Sequence, residues 1–145
     1  MITVKIKGGL RSKINLIEGQ KAAIEGKTDF FTDLAKLINS SIQIRVQRNG
    51  EGTDGKKMKP YSDKYSRYKQ NKGRNVNFRD LTFSGNMWQS LTAEKFSSGA
   101  RLFFNSAENV NKARGNQART PFFGVGKKEK DIINSELKKL IGGGA

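Results

Sequence analysis

Residues 30–48 read FFTDLAKLINSSIQIRVQR, and their periodicity decides what kind of fold the chain can build. Phe30, Leu34, Leu37 and Ile38 recur at helical spacing, and Thr28 and Asp29 supply N-cap chemistry just before them. The spacing predicts a helix from about Asp29 to Ser41. Beyond it Ile42, Ile44 and Val46 alternate with period two and are β-branched, a pattern that suits a continued helix or a switch to strand. Periodicity leaves both open.

On the N-terminal side, MITVKIKGGL reads as a short strand through Ile2, Val4 and Ile6, broken at Gly8-Gly9. Residues 10–27 carry weak periodicity interrupted by Gly19 and Gly26 and read as broken helix or loop, so residues 1–27 are expected to form a strand and an arm. On the C-terminal side, NGEGTDGKK (residues 49–57) is rich in turn residues. Pro60 is placed in a first helical turn, with Tyr61, Tyr65 and Tyr68 on one face of a short basic helix. Leu81, Phe83, Met87, Trp88 and Leu91 predict a short helix starting near Ser84, whose hydroxyl can cap it. LTAEKFSS and ARLFFNS around Ser98-Gly99 predict a β-hairpin, with Leu91, Ala93 and Phe96 facing Leu102 and Phe104. Residues 106–125 read as a long basic loop. KKEKDIINSELKKLI then sets Ile132, Ile133, Leu137, Leu140 and Ile141 along one helical face, ahead of a flexible tail at residues 142–145. The sum is α+β: a small antiparallel β-sheet packed with a helix in the N-terminal half and a C-terminal helix, with long extended loops.

A chain of 145 residues fits a single domain spanning residues 1–145. With 34% hydrophobic and 28% charged residues, its core must be lean. The net charge of +15, from 28 basic and 13 acidic residues, opposes compaction of an isolated monomer and calls for a negative neighbour. Nucleic acid, an acidic protein surface and the anionic face of a membrane are the candidates, the last the weakest. A membrane is not expected, because no apolar run approaches the roughly 20 residues of a span. The chain has neither cysteine nor histidine, which removes thiolate chemistry, the commonest metal ligands and every Ser-His-Asp or Cys-His arrangement. No enzyme activity and no cofactor are expected. The N-terminus lacks the features of a signal peptide, so the chain is expected to be made in the cytoplasm.

Two stretches hold most of the surface chemistry. From Lys56 to Arg79 lie Lys56, Lys57, Lys59, Lys64, Arg67, Lys69, Lys72, Arg74 and Arg79, with Asp63 the only acid among them. With their tyrosines they suit phosphate contact and base stacking, or else tyrosine rings closing the core edge under snorkelling lysines, which is the preferred reading. The second stretch is KARGNQARTPFFG, residues 112–124. Its stiff apolar end (Pro121, Phe122, Phe123, Gly124) predicts an anchor, while Lys112, Arg114, Asn116, Gln117 and Arg119 reach outward to a partner. Trp88, with Met87 and Phe83, reads first as core and second as an interface anchor. The acid pairs Asp29 with Asp33 and Glu129 with Asp131 read as helix-start residues complementing the dipole.

Three segments occur in a telling order: Gly55 to Ser62 (GKKMKPYS), Leu81 to Leu91 (LTFSGNMWQSL) and Arg119 to Gly124 (RTPFFG). Together they resemble the virion-morphogenesis and tail-completion family of tailed bacteriophages and its neck, or head–tail joining, relatives. Met58 stands where that family usually has tryptophan, and residues 108–113 replace its usual histidine-rich loop. The resemblance implies a non-enzymatic virion protein at the head–tail interface. It would form a homo-oligomeric ring in contact with portal or adaptor and tail proteins, with double-stranded DNA in the channel as a further contact. The alternative from a different class is a sequence-independent nucleic-acid-binding protein using Lys56, Lys57, Lys59, Lys64, Arg67, Lys69, Lys72 and Arg74.

Overall fold

The structure is a computed structural model that describes residues 3–6, 13–15, 30–82, 84–96 and 99–141, with backbone alone at 3–6, 13–15, 95–96, 99 and 140–141. The expectations for residues 1–2, 7–12, 16–29 and 142–145, for Phe83 and for Ser97-Ser98 lie outside the described residues.

The helix at the opening stretch, α1, runs Phe30–Gln43 and buries Leu34, Ala35, Ile38 and Ile42. The ambiguous alternation after it resolves as helix, because Ile44–Arg48 forms a π-helical turn rather than a strand. Its wider winding is marked by Asn49 N–H donating to the Ile44 carbonyl at 3.3 Å. The extra residue per turn leaves Ile44 half exposed and brings both Arg45 and Val46 inside.

Strands β1 (Thr3–Ile6), β2 (Lys13–Asn15), β3 (Leu91–Phe96) and β4 (Gly99–Phe104) form a sheet of order β2-β1-β4-β3. The β3–β4 pair is the expected antiparallel hairpin, in register with Leu91 opposite Phe104 and Ala93 opposite Leu102. β1 adds a parallel partner to β4, and Lys13–Asn15, expected as broken helix or loop, is instead a strand because it pairs antiparallel with β1. Helix α1 packs across β3 and β4, and the buried Leu91, Ala100, Leu102 and Phe104 meet its apolar face. The α+β class read from the sequence is therefore the class observed.

Two short helices follow the turn region. Helix α2 (Asp63–Asn71) starts after Ser62, whose Oγ accepts the Tyr65 N–H. Pro60 and Tyr61 thus precede the helix instead of occupying its first turn, a correction made by the stronger hydroxyl cap at Ser62. Helix α3 (Asn86–Gln89) begins at Gly85, whose φ of 86° is the left-handed region, while the Ser84 hydroxyl accepts the Asn86 N–H.

The larger correction concerns residues 106–125, which are not a long loop. Helix α4 spans Ala107–Arg119. Ser106 caps it by accepting the Asn109 N–H, Glu108 complements the N-terminal dipole and pairs with Lys112 at 2.7 Å, and Ala113 is buried. It stops at Thr120, which is extended because Pro121 follows. Helix α5 (Lys127–Ile141) closes the fold, packing Ile133 and Leu137 against α1. The side chains of Leu140 and Ile141 lie outside the described residues.

Candidate functional site

The segment after α4 is held by a buried charge. Arg45, 2% exposed, donates from Nε to Glu129 Oε1 at 2.9 Å. Its Nη2 reaches the carbonyls of Phe122 (3.1 Å) and Gly124 (3.3 Å), and Nη1 reaches that of Glu51 (3.3 Å). One guanidinium thus ties the π-helical turn, the Glu51 turn after it, the PFFG segment and α5. Glu129 uses its second oxygen to accept the Gly126 N–H at 3.1 Å. It is the helix-start residue expected, and the ion pair with Arg45 is a further role that reading missed. Side chains are excluded where the segments meet: a Cβ on Gly52 would lie 2.7 Å from the Pro121 carbonyl oxygen, and one on Gly126 2.5 Å from that of Thr53.

Phe122 and Phe123 are buried, and Phe122 meets Trp88 edge to face with ring centroids 5.7 Å apart. Gly124 is buried with them, whereas Pro121 is exposed and engages through its carbonyl, which accepts the Thr53 N–H. One outward residue is reassigned, and Trp88 takes the first of its two expected roles. Gln117 turns back, its Oε1 accepting the N–H groups of Phe122 and Phe123 and its Nε2 donating to the Phe123 carbonyl. Trp88 is only 3% exposed and donates its Nε1–H to the Leu81 carbonyl, which makes it core and not an interface anchor.

The basic run is corrected in the same way. Lys69 is fully buried, 2.8 Å from Asp80, and cannot face DNA or an acidic partner. Tyr61 O–H donates to the same Asp80 oxygen at 3.0 Å and accepts the Leu81 N–H at 2.9 Å. Burial and then the Asp80 charge push the Tyr61 hydroxyl well above its ordinary pKa of 10.0. Arg79, also buried, donates to the Lys59 and Pro60 carbonyls. Lys57 remains exposed but donates to the Asn49 carbonyl and lies 5.3 Å over the Phe78 ring. Lys56, Lys59, Lys64, Arg67, Lys72 and Arg74 are exposed.

Between α2 and α4 these elements leave a groove of about 690 Å³. Tyr61, Tyr65 and Tyr68 form a ladder along it, with ring centroids 4.9 and 6.2 Å apart. Facing them, α4 contributes Lys112, Asn116 and Arg119, spaced so that they share one helical face. Arg114 is exposed but lies about 160° around the helix from Lys112. The outward set read from residues 112–119 is thereby divided among a groove face, a far face and a core clamp.

Among the described residues no group of three or more acidic side chains could hold a metal ion, and no helix is long and apolar enough to cross a membrane. No model of a known protein family, no curated protein and no solved structure matches the chain.

Proposed function

We propose that the chain is a structural, non-enzymatic virion subunit of a tailed bacteriophage, a ring-forming neck or tail-completion protein at the head–tail junction. The observation that carries this reading is the joining of its three quoted segments in one buried joint. Met58 of the first is core, Trp88 of the second meets Phe122 of the third, and Arg45 fastens the third to the turn preceding the first. The resemblance thus falls on residues that pack together, as the shared core of a family would.

Features left outside that joint suit heterologous contacts between copies. Leu37 on α1 and Ile44 at the start of the π-helical turn that follows it are 44% and 48% exposed. Lys112, Arg114 and Arg119 are exposed along α4. A ring seated against acidic portal or tail proteins, or threaded by DNA, accommodates a charge of +15 per subunit because neighbouring negative groups offset the repulsion. The test is mass measurement with negative-stain imaging of the purified protein, alone and mixed with its portal and tail proteins. Discrete rings are the expected result. A strictly monomeric protein that binds no virion component contradicts the proposal.

The exposed lysines and arginines around α2, beside the half-exposed Tyr65 and Tyr68, favour sequence-independent nucleic-acid binding as a second reading. Such binding weakens with a log–log salt slope of about −0.9 per contacted phosphate on duplex DNA. Negligible affinity at low salt removes this reading.

A further inference from the structure

The groove between α2 and α4 is built from two unlike sides. The tyrosine ladder contributes ring edges and hydroxyls, and Tyr65 and Tyr68 remain 39% and 50% exposed. Opposite them, Lys112 and Arg119 stand seven residues apart, about 10 Å along the helix. None of the described residues lining the groove is acidic. Asp80 is paired with the buried Lys69, and Glu108 pairs at the groove's edge with Lys112 itself, an exposed i,i+4 contact that a bound carboxylate can replace at little cost. Among the described residues, Arg119 has no side-chain hydrogen bond or ion pair.

We infer that this groove binds an acidic, extended segment of another protein chain, one that also carries an aromatic or aliphatic side chain. Charge complementarity sets the sign of the occupant. In an extended segment rising about 3.3 Å per residue, carboxylates two to four residues apart match the spacing of Lys112 and Arg119. Tyrosine and asparagine supply amphipathic contact area and adaptable hydrogen bonding, the composition of peptide-binding surfaces. The ring geometry favours a peptide over single-stranded nucleic acid. Tyr61 and Tyr65 meet at 64° and Tyr65 and Tyr68 at 37°, so the rings lean on one another rather than presenting a run of parallel faces for successive bases. This inference stands on the groove alone and does not require ring assembly.

The test is fluorescence anisotropy at about 0.15 M salt, using a labelled decapeptide of alternating aspartate and serine with a central phenylalanine. An equally long oligothymidylate is the competing probe. The peptide should bind the full chain, and Arg119→Glu and Tyr65→Ala should each weaken it about tenfold, the loss of roughly one charge-assisted contact or one packed ring. Lys130→Glu on α5, outside the groove, changes net charge as Arg119→Glu does and should weaken binding less than twofold. Equal losses from Lys130→Glu and Arg119→Glu would show attraction by bulk charge and overturn the inference. Absence of peptide binding overturns it too, as does tighter, groove-dependent binding of oligothymidylate, which assigns the groove to nucleic acid. Retained peptide binding by a protein that never forms rings refutes the ring reading and leaves the groove assigned.

Discussion

Replacing Arg45 with methionine keeps a side chain of similar length and removes the charge that joins four segments. Glu129, fully buried, would keep only the Gly126 N–H as a donor. The carbonyls of Glu51, Phe122 and Gly124 would each lose their guanidinium donor. Removing one partner of a buried ion pair costs about 3–5 kcal/mol, because the remaining charge is desolvated without compensation. Orphaned carbonyls cost about 1–3 kcal/mol each, but the three share one guanidinium and relax together, so their costs do not simply add. The expected loss is about 4 kcal/mol, a large part of the roughly 5–15 kcal/mol that holds a domain folded. Urea unfolding followed by fluorescence of the single, buried Trp88 reads this directly. With an m-value of about 1.5 kcal/mol/M, the midpoint should fall by about 2.7 M with m unchanged. The double variant Arg45→Met with Glu129→Leu should be about 2 kcal/mol less destabilised than the sum of the single changes, since it removes both charges. A loss below about 1 kcal/mol for Arg45→Met refutes the desolvation reasoning.

Phe122→Ala should destabilise by about 3–5 kcal/mol through the cavity left beside Trp88, and a shift under about 1 kcal/mol in the same urea assay contradicts the anchor. Lys69→Met should cost about 2 kcal/mol, since Asp80 keeps donors from Tyr61, Asn75 and Thr82, whereas Lys72→Met should stay within about 0.5 kcal/mol; equal effects would mean that Lys69 is not buried. For Tyr61, the folded pKa lies above the unfolded 10.0, so its contribution is intact below pH 10.0 and declines as pH rises beyond it. The Tyr61→Phe variant should therefore show a shallower alkaline fall in Tm than the parent chain, and parallel curves would contradict the burial of that hydroxyl.

The apolar periodicities carried the architecture: α1, the hairpin and α5 follow from side chains that can only be satisfied inside. Helix α4 was hidden because its inward face is Val110, Ala113 and Gln117, too small or too polar to register as a stripe, and because Gly115 and the asparagines weaken helix propensity. What stabilises it is a cap, a dipole pair and burial, which sequence spacing registers only faintly. Lys69 looked like its solvated neighbours because Asp80 falls one residue past the basic run and only folding brings the two together, and Arg79 because its acceptors are the distant Lys59 and Pro60 carbonyls. A signal for Lys69 existed in its placement four residues after Tyr65. For Arg45 the obstacle was the π-helical turn, which moves it from the outward side of the Ile42, Ile44, Val46 alternation into the core. The groove joins residues 61–87 with residues 112–119, and no local pattern announces that pairing.

The most direct measurement of the proposed role is electron-microscopic imaging of intact phage particles in which the chain carries a small fused density marker. Marker density arranged as a ring between the portal-bearing head and the tail is the expected result. Marker density absent from the particle, or confined to the capsid shell or the tail tip, contradicts it.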